Sequence, residues 1–135
     1  MKLTNTTKRT AGMTLLELTV VILVLLSLIS ILFIGARAWK KGSDRAANIL
    51  NIRNVQQAVR AHTNVRGLAI GDALASTDIV GTGKYLNSVS APNTSITYTY
   101  GAAVPAVGTL YLVAAYADAT ATADFGPTAG SYSEW

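Results

Sequence analysis

The chain contains no cysteine. Disulfide staples, thiolate metal sites and lipid attachment through a thiol are therefore excluded. Proline is rare, with 3 in 135 residues, and none falls between Met13 and Gly67. Nothing in that stretch breaks a helix from within. Charged side chains make up only 13% of the chain. No Ser–His–acid set, paired-carboxylate site or phosphate loop can be assembled from them. The stretch Gly81-Thr82-Gly83-Lys84 lacks the spacing of a P-loop and reads as a turn. The single histidine, His62, has no ligand partner at metal-binding spacing and reads as a packing residue. These absences point away from an enzyme. There is no internal repeat.

Half of the residues are hydrophobic (50%), but they are spread unevenly. Residues 1–12 are polar, with Lys2, Lys8 and Arg9 and no acid, as in a short cytoplasmic leader. Residues 13–36 are apolar apart from one charge, Glu17. As a helix this run of about 24 residues spans roughly 36 Å, enough for the hydrocarbon core of a bilayer. Thr19, Ser27 and Ser30 are tolerable there because their hydroxyls bond back to the helix backbone. Trp39, just past the run, suits a membrane interface.

The helical pattern continues over residues 37–66. Ile49, Ile52, Val55, Val59 and His62 recur at spacings of three and four and share a face. Arg45, Asn48, Arg53, Gln56, Gln57 and Arg60 fall mostly elsewhere. The pattern predicts one continuous helix of about 50 residues, loosened at Gly42-Ser43 and stopped over Asn64 to Gly67.

Residues 67–135 are rich in Ala, Thr, Gly and Ser. So small a unit has a thin core and leans on the helix before it. Ser95 to Tyr100 and Thr109 to Ala117 read as strands joined by a hairpin loop, Gly101 to Gly108, with Tyr98, Tyr100, Tyr111 and Tyr116 packing between them. Lys84 to Val89 offers a third, shorter strand. Thr120 to Trp135 reads as a small-residue tail with a turn at Gly126-Pro127. The expected class is α+β: a lollipop whose long N-terminal helix packs, by its second half, against a small antiparallel sheet.

The formal charge of +4 conceals a division. Arg37, Lys40, Lys41, Arg45, Arg53, Arg60 and Arg66 make the stem basic. Beyond Gly67, Lys84 stands alone against Asp72, Asp78, Asp118, Asp124 and Glu134. A nucleic-acid binder carries its basic patch on the exposed domain, and this head has the opposite sign.

The most informative stretch is Gly12-Met13-Thr14-Leu15-Leu16-Glu17, which runs directly into LTVVILVLLSLISILFIGA. It resembles the processing and methylation signature of the type IV pilin superfamily, which includes the pseudopilins of type II secretion. The resemblance covers Ala11 to Ala36 and, more loosely, the rest of the helix. It implies cleavage after Gly12 by a prepilin peptidase, N-methylation of the new terminus at Met13, and Glu17 as the carboxylate that guides assembly, with Thr14 beside it. It also implies a homo-oligomer: subunits held in the inner membrane by residues 13–36, with the C-terminus outside the cytoplasm, then drawn by an ATPase-driven platform into a helical filament, either a surface pilus or a periplasmic pseudopilus. The physics agrees with the motif. A carboxylate in an apolar span needs a partner, and a cut after Gly12 creates an α-amine four residues away.

The chain departs from the family pattern in two places. Phe33-Ile34-Gly35 stands where many pilins carry a kinking proline, and no disulfide closes the C-terminal region. Both departures lean toward pseudopilins or a less typical pilin branch. Some major pseudopilins hold that region with calcium, and Asp118 and Asp124, flanking Thr120 and Thr122, offer oxygen ligands for it; two solvated loop aspartates is the plainer reading. A secretory signal peptide cleaved at Ala36-Arg37-Ala38 is the main rival, but the apolar run is too long for one and contains an acid. A single-pass anchored binding protein that never polymerises and a DNA-uptake pilin are the remaining alternatives.

Overall fold

The computed structural model of the protein describes Gly12 and residues 14–135. Its elements are α1 (Leu15–Arg66), α2 (Ser76–Ile79), β1 (Ile96–Tyr100), β2 (Leu112–Tyr116) and α3 (Ala119–Phe125). The class is α+β, as the sequence predicts. The chain divides into two compact units, the second running from Ala38 to Trp135.

In the first unit, every side chain from Leu15 to Arg37 is exposed. The most apolar 18-residue window of α1 has a mean hydropathy of 3.0 and none of it is buried. That is a helix long and apolar enough to cross a membrane. Its hydroxyls turn inward as expected: Thr19 Oγ1 donates to the Leu15 carbonyl at 3.0 Å, Ser27 Oγ to Leu23 at 2.6 Å and Ser30 Oγ to Leu26 at 2.8 Å. Each of these hydroxyl hydrogens is taken up by the helix's own backbone.

α1 is continuous for 52 residues, straight through Gly42-Ser43. Its end is fixed by glycine. Gly67 takes φ +66°, and the N–H of Leu68 reaches back to the Thr63 carbonyl at 3.0 Å. This is a Schellman closure, open to glycine because it has no Cβ to clash.

The second unit is built on one face of α1. Ile52, Val55, Ala58 and Val59 pack against Leu74, Ile79, Val104, Tyr111 and Leu112. β1 and β2 are antiparallel, with Ile96 opposite Tyr116 and Tyr100 opposite Leu112. In both strands alternate residues turn to the core, so Thr97, Thr99, Val113 and Ala115 face out. A smaller cluster of Ile96, Ala121 and Phe125 seats α3 beside the sheet.

Three expectations are corrected here. Lys84 to Val89 is not a strand but contributes a single parallel bridge, Val80 to Leu86. Positive φ at Gly81 and Gly83 turns the chain too sharply for a ladder. The tail after Thr120 is not irregular throughout, because α3 lies within it, capped by the Asp118 carboxylate, which accepts from the Ala121 N–H at 2.7 Å. Finally, β2 starts at Leu112 rather than Thr109, because a side chain of α1 occupies the main chain before it.

Candidate processing and assembly site

The site expected from sequence is Gly12, Met13, Thr14 and Glu17. Met13 and the leader up to Ala11 lie outside the described residues. Gly12 and Thr14 both precede the helix and are both exposed. A Cβ placed on Gly12 would meet nothing within 4 Å among the described residues.

Thr14 and Glu17 bond reciprocally. The Thr14 N–H donates to Glu17 Oε2 at 2.9 Å, and the Glu17 N–H donates to Thr14 Oγ1 at 3.2 Å. This is a capping box: each side chain satisfies a backbone N–H that the first turn of the helix leaves without a partner. The negative carboxylate also sits at the positive end of the helix dipole. Glu17 thus has a neutral partner on its own backbone. The signal was present in the sequence as Thr-x-x-Glu ahead of an apolar run, and the reading of Glu17 as a partner for an amine passed over it.

Further along α1, two polar residues hold the head. Asn48 is fully buried (0% exposed). Its Nδ2 donates to the Phe125 carbonyl at 2.9 Å and to Tyr116 Oη at 3.0 Å, while Tyr98 Oη donates to its Oδ1 at 2.8 Å. Burial raises the pKa values of Tyr98 and Tyr116 above the ordinary phenol value. Gln56 acts as a short stretch of strand. Its Nε2 donates to the Thr109 carbonyl at 3.1 Å and its Oε1 accepts from the Tyr111 N–H at 3.1 Å. Both residues fell outside the predicted apolar stripe. The structure puts them on the same buried face as Ile52, Val55 and Val59.

The basic stem meets the acidic head directly. Lys41 Nζ lies 2.7 Å from Asp124 Oδ2, Arg45 Nη2 donates to Thr128 Oγ1 at 3.3 Å, and the Arg53 guanidinium stands 4.6 Å over the Trp135 ring. Asp44 accepts from Asn93 and pairs with Lys40 at 3.1 Å; the Asn93 hydrogen bond leads in holding its carboxyl below the usual range. His62 is buried and packs edge-on against Tyr85, with ring centroids 5.7 Å apart. The two residues considered for calcium do separate work: Asp118 caps α3 and Asp124 pairs with Lys41. What joins them is a helix rather than the expected loop. Among the described residues, no three of His, Cys, Asp and Glu gather as a metal site.

No family model, curated protein or solved structure matches this chain. The functional reading rests on its own residues.

Proposed function

We propose that this chain is a subunit of a type IV pilin-like filament. It is anchored by the N-terminal part of α1, trimmed after Gly12, methylated at Met13, and polymerised through α1. One observation carries the reading: the first part of α1, Leu15 to Ala36, is apolar and exposed throughout, with a single carboxylate, Glu17, at its start and Gly12 before it.

Three physical arguments support it. First, an apolar helix that its own fold leaves bare must be covered by lipid, by other helices, or by each in turn. Second, a Cβ on Gly12 would meet nothing within 4 Å among the described residues, which fits a residue kept small for a peptidase that approaches the backbone closely. Third, a carboxylate among lipids or packed helices costs several kcal/mol unless well partnered. A cut after Gly12 supplies an ammonium group to answer it. Paired within one subunit, that ammonium neutralises the charge locally. Paired between subunits, it sets the axial stagger of neighbouring helices.

Moving such a helix from lipid into a bundle exchanges one apolar environment for another and yields little driving force. Assembly then needs external work, in keeping with an ATPase platform. Nothing in this account gives the chain an enzymatic role. The acidic head leaves little for a nucleic acid to bind.

Glu17→Val tests the reading against a plain single-pass anchor. A polymerising subunit loses filament assembly, scored by electron microscopy of sheared material, while its membrane insertion is unchanged. If the variant assembles as well as the parent, the proposed role of Glu17 is wrong.

A further inference from the structure

We propose that the cavity beside the end of α1 binds a small hydroxylated carboxylate, the chemistry of an acidic sugar, through His62, Arg66, Asp78, Lys84 and Tyr85. The cavity lies wholly within the second unit, so the proposal stands or falls apart from the filament reading.

Two segments build it. His62 and Arg66 are four residues apart on α1 and so share a face, one turn from each other. Opposite them runs the chain from Asp78 to Tyr85. The ends of that loop are tied together: the Gly81 N–H donates to the Leu86 carbonyl at 2.8 Å, and the Leu86 N–H donates to the Ile79 carbonyl at 3.1 Å. Gly83 turns the tip at φ +76°, a conformation that side chains rarely adopt. Lys84 and Tyr85 are thereby brought to the wall, where the Tyr85 ring meets the imidazole edge-on. The space between the two segments is about 390 Å³, within the range of small-molecule sites.

The polar groups of this wall converge without bonding to one another. Among the described residues, the side chains of His62, Arg66, Asp78, Lys84 and Tyr85 make no hydrogen bond, and both ion pairs lie elsewhere. His62 is the sharpest case. It is only 8% exposed, yet neither ring nitrogen is sealed from solvent, so what stays open is its polar edge. A neutral imidazole there offers one donor and one acceptor. Buried polar groups are as a rule bonded, and an imidazole buried this far with no partner in the chain marks a place for one from outside. The cavity beside Trp135 differs in this respect: its Arg53, Gln56 and Arg60 are already engaged by Trp135, Thr109 and Glu134.

Charge selects the ligand. Two cations and one carboxylate leave the wall positive, which favours a ligand with one negative charge. Arg66 can grip a carboxylate through two parallel N–H bonds, with Lys84 as a second, point-like charge. Asp78 would repel a second acid and accepts from hydroxyl groups instead. An ammonium group would meet two like charges for one partner, so a zwitterion fits less well. Tyr85, 43% exposed, supplies an apolar ring face for the ligand's carbons and a hydroxyl beside it.

His62 is the only histidine in the chain, so a single imidazole signal reports on the site. The test is an NMR titration of the full-length, histidine-labelled chain in non-ionic micelles at fixed pH. Sodium glucuronate is added up to about 50 mM, enough to saturate a site of millimolar Kd. Glucose, which keeps the hydroxyls, and acetate, which keeps the acid, are run beside it. The His62 resonance is expected to shift and saturate with glucuronate, and to bind glucose or acetate more weakly by roughly tenfold, the loss of one charge-assisted contact. Arg66→Gln and Lys84→Gln, at exposed positions with no bond to lose, should each weaken glucuronate by about the same factor. Arg60→Gln, outside the cavity, should leave its binding unchanged. The absence of a saturating shift with glucuronate overturns the site. A response to acetate equal to that of glucuronate, or one that survives both substitutions, overturns the assignment of an acidic sugar to these residues.

Discussion

Replacing Asn48 by alanine separates a structural seam from an incidental polar contact. Asn48 has no exposed surface, and its amide serves three partners. Phe125 is itself buried, so its carbonyl would lose its partner where water reaches poorly, at about 1–3 kcal/mol. Tyr98 and Tyr116 are half-buried and can turn their hydroxyls toward solvent, so each loss is smaller, at about 0.5–1 kcal/mol. The sum is about 3 kcal/mol, a large fraction of the total stability of a small domain. The assay is urea unfolding of the full chain in detergent micelles, followed by Trp135 fluorescence with Trp39 replaced by Phe in every chain. With a slope of about 2 kcal/mol per molar urea, the midpoint should fall by roughly 1.5 M. Leu50→Ala, at an exposed position of the same helix, is the control and should move it by less than about 0.3 M. Equal shifts for the two variants would refute the idea that Asn48 ties the head to α1.

Two further outcomes follow from the charges and phenols of the second unit. The pair Lys41–Asp124 is exposed at the lysine end, so Lys41→Ala should cost less than about 1 kcal/mol, with the difference vanishing in molar salt; thermal melts at two salt concentrations check this. The phenols of Tyr98, Tyr100, Tyr111 and Tyr116 all have pKa values raised by burial. The folded state then holds these protons more tightly than the unfolded chain. Stability is full below about pH 10, where unfolded tyrosine titrates, and is lost as pH rises through the higher folded values. Tyrosinate absorbance should lag the ordinary titration curve and then rise together with loss of the head's circular dichroism. A normal phenol titration with no coupled unfolding would contradict this.

Sequence pattern alone reached α1, β1 and the core of β2, because each carries a strong local signal. α1 has apolar periodicity without proline, β1 alternates threonine with tyrosine, and β2 is an aliphatic run closed by a tyrosine. What escaped was settled by tertiary partners. Asn48 and Gln56 look solvent-facing by residue type, yet they bury because the head supplies hydrogen-bonding groups opposite them. Thr109 to Tyr111 has strand composition, but Gln56 claims its backbone. α3 is too short at seven residues to hold by propensity alone, and the Asp118 cap and burial of Ala121 and Phe125 fix it. At the candidate site, the residues were legible as a motif. The bond between Thr14 and Glu17 was legible only as a capping pattern, which is a different rule from the one that drew attention to Glu17.

The central claim is that the chain is trimmed after Gly12. Intact-mass and N-terminal peptide mass spectrometry of protein recovered from membranes tests it most directly. The account predicts a chain that begins at Met13 and carries the mass of one added methyl group on its amine. A chain that still bears Lys2 to Gly12, or one that begins at Trp39 after cleavage at Ala36-Arg37-Ala38, would contradict it.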